Sequence, residues 1–461
     1  MTRALRLALA ALVLAWAQVP VPAAAFDGQR GQSEPPQQDA APDFELPAVQ
    51  LRIGLDRVLA EHAFLSIEAM RTGIAGGEEF EVAAEVLEEN TVELIDLVEA
   101  AYGRDASVAF AEQWRNHLAY LVDYTRAVAD GDDAAQELAS SQLETYIEDF
   151  SALLVAANPG LPPDVVEGLI DEHIQQLEQI GSFADAGFSE AYPAIRDTYA
   201  HMFRVGDGLT VGILSRFGDR FPGRDTAFSP ALDVRITLDR LLGEHTYLAA
   251  IVMRARLSEA ADLDAASEAL AANSADLAAQ IAEIYGSDAG AAFDALWRSH
   301  TAYYVDYVEA VAAGSADAQN EALDGLTAYR SDFSSFLAEA NPFLDQDDLE
   351  ALLATHTDHL VAQVTAYQDQ DYVVAYDTLR EAFGHTESMA AGLAGAIADQ
   401  FPRLFPDTAL KPASMDGWVA AVGWLLLTAA ALAGGGVTRR RRNQACATEM
   451  ANEARQAPVA E

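Results

Sequence analysis

The chain has 461 residues and a formal net charge of −44, from 28 Lys and Arg against 72 Asp and Glu. This length accommodates two or three domains of ordinary size. A surface this acidic repels phosphate backbones, which argues against nucleic acid and favours cations or basic cell-surface partners, although solubility or salt adaptation also produces such a charge. The one cysteine, Cys446, excludes an internal disulfide and a thiolate metal cluster.

The first 25 residues have the pattern of a secretory signal peptide. Arg3 and Arg6 flank the start of an apolar run that reaches Val19, and three alanines ending at Ala25 supply the small residues of a cleavage site. The following residues, 26–46, are predicted to be a polar linker. The sequence therefore predicts an exported protein.

The middle of the chain contains an internal repeat. A shift of 183 residues superposes LDRVLAEH on LDRLLGEH, and the match extends over the segments 47–220 and 232–402, with the linker 221–231 between them. Each unit is about 170 residues long, far longer than a solenoid repeat. We therefore predict two tandem domains of the same fold.

Both units are predicted to be all-α. Apolar residues recur three and four positions apart, and sustained alternation typical of strands is absent from the sequence. In the first unit this pattern predicts helices over 48–73, 79–101, 105–130, 133–156, 162–182 and 186–216. Short loops between such helices favour an up-and-down helical bundle, and the second unit follows the same plan.

A membrane anchor is predicted near the C-terminus. After a stalk over 403–416, residues 417–438 carry no charge, and 22 residues at about 1.5 Å each span a hydrocarbon core. The arginines that follow place the tail, 439–461, in the cytoplasm, so we expect a single-pass protein with its N-terminal ectodomain outside. Cell-wall sorting signals end similarly, but Leu410 stands where such a site needs glycine, so a retained anchor is preferred.

Histidines are distributed in a repeated pattern. Eight of the nine form matched pairs between the units, and each histidine of a unit falls on a different predicted helix. The pairs are His62 and His245, His117 and His300, His173 and His356, and His201 and His385. At least three of each set lie on the apolar face of their helix, which points inward in a bundle. His359 has no counterpart and is predicted to lie at the surface.

Two interpretations of these histidines remain open. Each imidazole could be a neutral core group bonded to a neighbour, in which case the protein is a non-catalytic interaction or scaffold module. Alternatively, the imidazoles converge on a metal ion or haem, with Glu61, Met70, Glu244 and Met253 as additional candidate ligands. Because thiolates are lacking, such a site would suit copper, zinc or iron. The sequence contains no familiar catalytic motif, which argues against an enzyme.

Three motifs carry a resemblance to a known family. They are LDRVLAEH, WRNHLAYLVDY and AYPAIRDTYAH in the first unit, each with a counterpart in the second. In this combination the chain resembles secreted or surface-anchored bacterial helical repeat proteins, some of which carry a "copper amine oxidase-like" label. The resemblance implies the location and the domain type, and its label suggests copper. It does not extend to oxidase activity, since the Asn-Tyr motif of that chemistry is missing.

Overall fold

The structure is a computed structural model that describes residues 43–407, except 182 and 184–186. The predicted signal peptide and transmembrane segment lie outside these residues, as do the cytoplasmic tail and most of the polar linker and stalk. Within the described part, none of the helices combines the length and apolar character that a bilayer crossing requires.

The described residues form twelve α-helices and contain no strand, which confirms the all-α prediction. The first repeat comprises α1 (Pro47–Ala75), α2 (Glu79–Tyr102), α3 (Arg104–Asp130), α4 (Asp133–Ala157), α5 (Pro163–Ile180) and α6 (Phe188–Phe217). The second comprises α7 (Pro230–Leu257), α8 (Leu263–Tyr285), α9 (Ser287–Ala312), α10 (Ala316–Ala340), α11 (Gln346–Gln368) and α12 (Tyr372–Gln400). In the first repeat these bounds agree with the predicted ones to within two residues.

Local sequence explains where several helices begin and end. Proline occupies the first turn of α1 and α7, where its missing N–H costs nothing. The Ser229 hydroxyl accepts a hydrogen bond from the backbone N–H of Leu232, and Asp132 caps α4 in the same way. Helix α1 ends at Gly76, whose φ of 69° is the left-handed conformation that glycine adopts without strain. These signals fix the loops and therefore the antiparallel packing of successive helices.

One helix of each repeat is central. Helix α1 has 20 of its 29 residues buried, and α7 has 22 of its 28. Helix α1 packs against α2 and α6, and α7 packs against α8 and α12. A helix that is buried on nearly all sides must be surrounded by other elements. Each central helix therefore has one face toward its own bundle and another toward the other repeat.

The core continues across the two repeats. One cluster of buried apolar residues includes Phe64 from α1 and Tyr247 from α7, whose rings stack with centroids 3.6 Å apart. Helix α2 contacts α12, and α6 contacts α8. Gly243 permits this approach, because a Cβ there would lie 2.3 Å from the Tyr199 hydroxyl oxygen. Stabilisation of either repeat therefore depends on the other.

Polar bonds between the repeats follow a two-fold pattern. The Arg380 guanidinium donates to both carboxylate oxygens of Glu61 at 2.9 and 3.2 Å, and Arg196 donates to Glu244 at 2.8 and 3.1 Å. These are equivalent positions in the repeated sequence. Bidentate pairs of this kind are directional, so they fix the register of one repeat on the other.

Candidate metal centre

Three imidazoles meet in the core of the second repeat. His245 comes from the central helix α7, His300 from α9 and His356 from α11. All three are buried, and each offers a ring nitrogen that lies within 4.8 Å of those offered by the other two. We call this set the second triad. Among the described residues, it is the one group of three or more His, Cys, Asp or Glu side chains with this mutual spacing.

The spacing within the second triad suits coordination better than hydrogen bonding. The Nε2 atoms of His245 and His300 are 3.4 Å apart, whereas N–H donors normally approach their acceptors to about 2.9–3.0 Å. A tetrahedral ion with bonds of about 2.0–2.1 Å holds its ligand nitrogens roughly 3.3 Å apart. The observed distance therefore matches one edge of such a coordination sphere.

The first repeat has an equivalent set, which we call the first triad. Its members are His62 on α1, His117 on α3 and His173 on α5. The ring centroid of His62 lies 5.4 Å from that of His117 and 5.8 Å from that of His173. In the second triad, the distances from His245 are 5.3 and 6.5 Å. The two triads therefore have the same arrangement, although the nitrogens of the first are less closely gathered.

Several ring nitrogens of these imidazoles have no hydrogen-bond partner among the described residues. Both ring nitrogens of His62 and of His173 are buried and unpaired, and so is Nδ1 of His245 and of His356. A buried polar group without a partner costs about 1–3 kcal/mol. A metal ion bound by these nitrogens would offset this cost.

Aromatic rings enclose both triads. The ring of Trp114 lies 4.6 Å from that of His62 and 4.6 Å from that of His117, and Tyr146 stacks on His117 at 4.9 Å. Trp297 and Tyr329 occupy the equivalent positions in the second repeat. These aromatic residues were not predicted to belong to the site, but a tryptophan three positions before a histidine in both repeats was the available signal.

Burial sets the protonation state of the triads. It lowers the pKa of His117, His173, His300 and His356 to about 3, with the neighbouring imidazoles adding to the effect. The pKa values of His62 and His245 are also well below the ordinary range, again mainly through burial. The rings are therefore neutral at physiological pH and present lone pairs that a metal ion could use without displacing a proton.

The fourth histidine of each repeat is bound elsewhere. Nε2 of His201 lies 2.8 Å from the Leu169 carbonyl oxygen, and its Nδ1 lies 2.6 Å from Nη2 of Arg204. Nε2 of His385 lies 2.9 Å from the Leu352 carbonyl oxygen. We therefore assign His201 and His385 to the packing of α5 on α6 and of α11 on α12. His359 is partly exposed, and its Nδ1 lies 3.9 Å from Oε2 of Glu381.

The four additional candidate ligands, two glutamates and two methionines, lie outside the triads. Glu61 and Glu244 direct their carboxylates to the arginines of the other repeat and to the amides of Asn90 and Asn273. Adjacent residues on a helix point about 100° apart. On each central helix the histidine therefore faces the triad while the preceding glutamate faces the other repeat. Met70 and Met253 are buried within the apolar core.

The fold and the site together define a class: a duplicated all-α protein in which a buried histidine triad could hold a metal ion. Comparison with known proteins adds no narrower assignment, because no protein family, no curated protein and no solved structure matches the chain.

Proposed function

We propose that this chain is an exported, membrane-anchored protein that binds one copper or zinc ion at each histidine triad. The observation that carries the proposal is the convergence, in the second triad, of three buried, neutral imidazoles with nitrogens within 4.8 Å of one another. The first triad repeats the arrangement of the rings. Imidazole is a ligand that both metals favour. Iron is less well suited, since non-haem iron sites usually combine two histidines with a carboxylate, and the nearest glutamates of the central helices are paired with arginines.

The packing favours an ion over haem. A haem with two axial histidines needs an open slot for the flat macrocycle between the two rings. Around His62 that space is taken by a third imidazole and by Trp114, whose ring centroid is only 4.6 Å away. The second repeat is filled in the same way. A single ion needs no such slot.

Export and anchoring rest on the sequence. The signal-peptide pattern at the N-terminus and the uncharged segment 417–438, followed by arginines, support both. The resemblance to surface-anchored bacterial repeat proteins agrees with this location. An extracytoplasmic site without thiolates would bind its metal through groups that do not oxidise to disulfides.

Elemental analysis of two variants tests the metal site. We expect full-length protein, loaded with copper or zinc and freed of excess ion, to retain two ions per chain. His300→Phe should retain one, because phenylalanine preserves the stack on Tyr329 but offers no ligand atom. His385→Gln is the matched control, since the glutamine amide can replace the bond to the Leu352 carbonyl. It should retain both ions.

Two results would count against the proposal. Equal metal content in the wild type and in His300→Phe would show that the second triad is not a site. Absence of retained metal from the wild type, with helical content unaffected by chelator, would leave the histidines a structural role in a tethered scaffold.

A further inference from the structure

Each repeat contains an apolar cavity, and the two cavities occupy equivalent places. In the first repeat the cavity measures about 100 Å³ and reaches His117 and His173. In the second it measures about 300 Å³ and is lined by matching residues, among them Phe293, Trp297 and Phe333. Nearly all lining side chains are apolar, which is the character of sites for small organic ligands.

Volume distinguishes the two cavities. A buried apolar cavity of about 150 Å³ is enough to bind benzene. The first cavity is below that size, whereas the second is about twice as large. The second cavity therefore has room for roughly ten to fourteen carbon atoms.

The second cavity also reaches the surface. Its outer end lies at the loop between α10 and α11 and includes Phe343, which is 56% exposed, and the exposed aspartates Asp345 and Asp348. An exposed phenylalanine at the mouth of an apolar cavity suits an apolar guest. The two carboxylates, on a chain of net charge −44, repel anions.

We propose that the second cavity binds one neutral, lipophilic molecule of two to three fused rings or an equivalent aliphatic chain. The inner end of the guest packs near Trp297, which separates the cavity from the second triad and contacts His245 and His300. The three imidazoles themselves do not line the cavity. This inference therefore stands without the metal proposal, and metal-free protein should bind the guest.

A variant that narrows the cavity rim is available and should not disturb the fold. Gly392 on α12 lines the second cavity, and a Cβ added there meets no atom within 4 Å. Gly392 is exposed at the rim of the cavity, so the side chain of Gly392→Leu should extend over the cavity mouth, and the substitution should also improve the helix propensity of α12. Gly395→Leu is the matched control, because Gly395 lies on the same helix, also has open space, and does not line the cavity.

The test is a fluorescence titration of metal-free, full-length protein with 1-aminoanthracene, which is neutral at pH 7.5 and brightens in apolar surroundings. We expect saturation at one equivalent per chain, displacement by 1-decanol, and weaker displacement by decanoate. Gly392→Leu should weaken binding by ~tenfold because its side chain takes part of the space at the cavity rim that the guest would use. Gly395→Leu should bind like the wild type.

Three outcomes would overturn the inference. The first is a wild-type fluorescence signal that does not saturate, or that does not exceed the signal of Gly392→Leu. The second is equal loss of binding in Gly392→Leu and Gly395→Leu, which would point to a general effect on α12. The third is tighter binding of decanoate than of decanol, which would assign the cavity to anionic amphiphiles.

Discussion

At the scale of single residues, the proposed ligand is supported most directly by the unpaired imidazoles. His62 is fully buried, and neither of its ring nitrogens has a partner among the described residues. A leucine of similar volume would remove two unsatisfied polar atoms from the core. We expect His62→Leu to stabilise the metal-free protein by about 1–2 kcal/mol, measured by urea denaturation. A structural histidine would give the opposite result, a lower free energy of unfolding.

These buried histidines should also lower the stability of the fold at acid pH. Burial lowers the pKa of His117 from 6.5 to about 3. Between these values the unfolded chain binds a proton that the folded chain does not. The stability that this histidine contributes is therefore fully present above pH 6.5 and is lost as the pH falls toward 3.

The corresponding prediction concerns His117→Phe. In metal-free protein, the free energy of unfolding of this variant should fall less steeply than that of the wild type between pH 7 and about 4.5. Urea denaturation at several pH values measures both slopes. His359→Gln, at a partly exposed position, is the control and should follow the wild type. Identical slopes for His117→Phe and the wild type would contradict the buried, neutral state of His117.

At the scale of elements, the central helices explain the repeated Glu–His pair. Helices and their bounds could be predicted from the sequence because apolar spacing and capping residues are local signals. The inward direction of His62, His117 and His173 followed from the same spacing. The position of Glu61 could not be predicted, since it depends on which neighbour covers the second face of α1. The bonds of His201 to a backbone carbonyl and to Arg204 could not be predicted from the sequence either, because they depend on the placement of α5.

Breaking one inter-repeat pair tests the role of Glu61. Its side chain is 2% exposed, so loss of Arg380 leaves a buried carboxylate without its positively charged partner. We expect Arg380→Gln to lower the free energy of unfolding by about 3 kcal/mol. Adding Glu61→Gln should restore part of the loss, because the uncompensated charge is then removed. Additive effects of the two substitutions in the double variant would show that the pair is not coupled.

At the scale of the whole molecule, the shared core makes the repeats interdependent. Two matched sets of bonds cross between them: Glu61 with Arg380 and Glu244 with Arg196. Because Glu61 and Arg196 both belong to the first repeat, two copies of that repeat alone would present complementary surfaces. This is the geometry of a two-fold homodimer. Sequence similarity revealed the duplication, but this complementarity required the packing of α6 and α12 on the opposite repeat.

The isolated first repeat, residues 43–229, should therefore form a homodimer. Multi-angle light scattering coupled to gel filtration measures its mass directly. Arg196→Glu should abolish the dimer through repulsion from Glu61, and the added change Glu61→Arg should restore it. A folded monomer at micromolar concentration, with the same helical content, would show that each repeat is independently stable.

The most direct test of the central claim is the position of the ion itself. Anomalous X-ray diffraction from crystals of the metal-loaded protein, recorded on both sides of the copper or zinc edge, locates it without reference to the fold. We predict a peak about 2.0–2.1 Å from one nitrogen each of His245, His300 and His356, with an equivalent peak at the first triad. A map without a peak in either triad, even from crystals soaked in excess metal, would contradict the account.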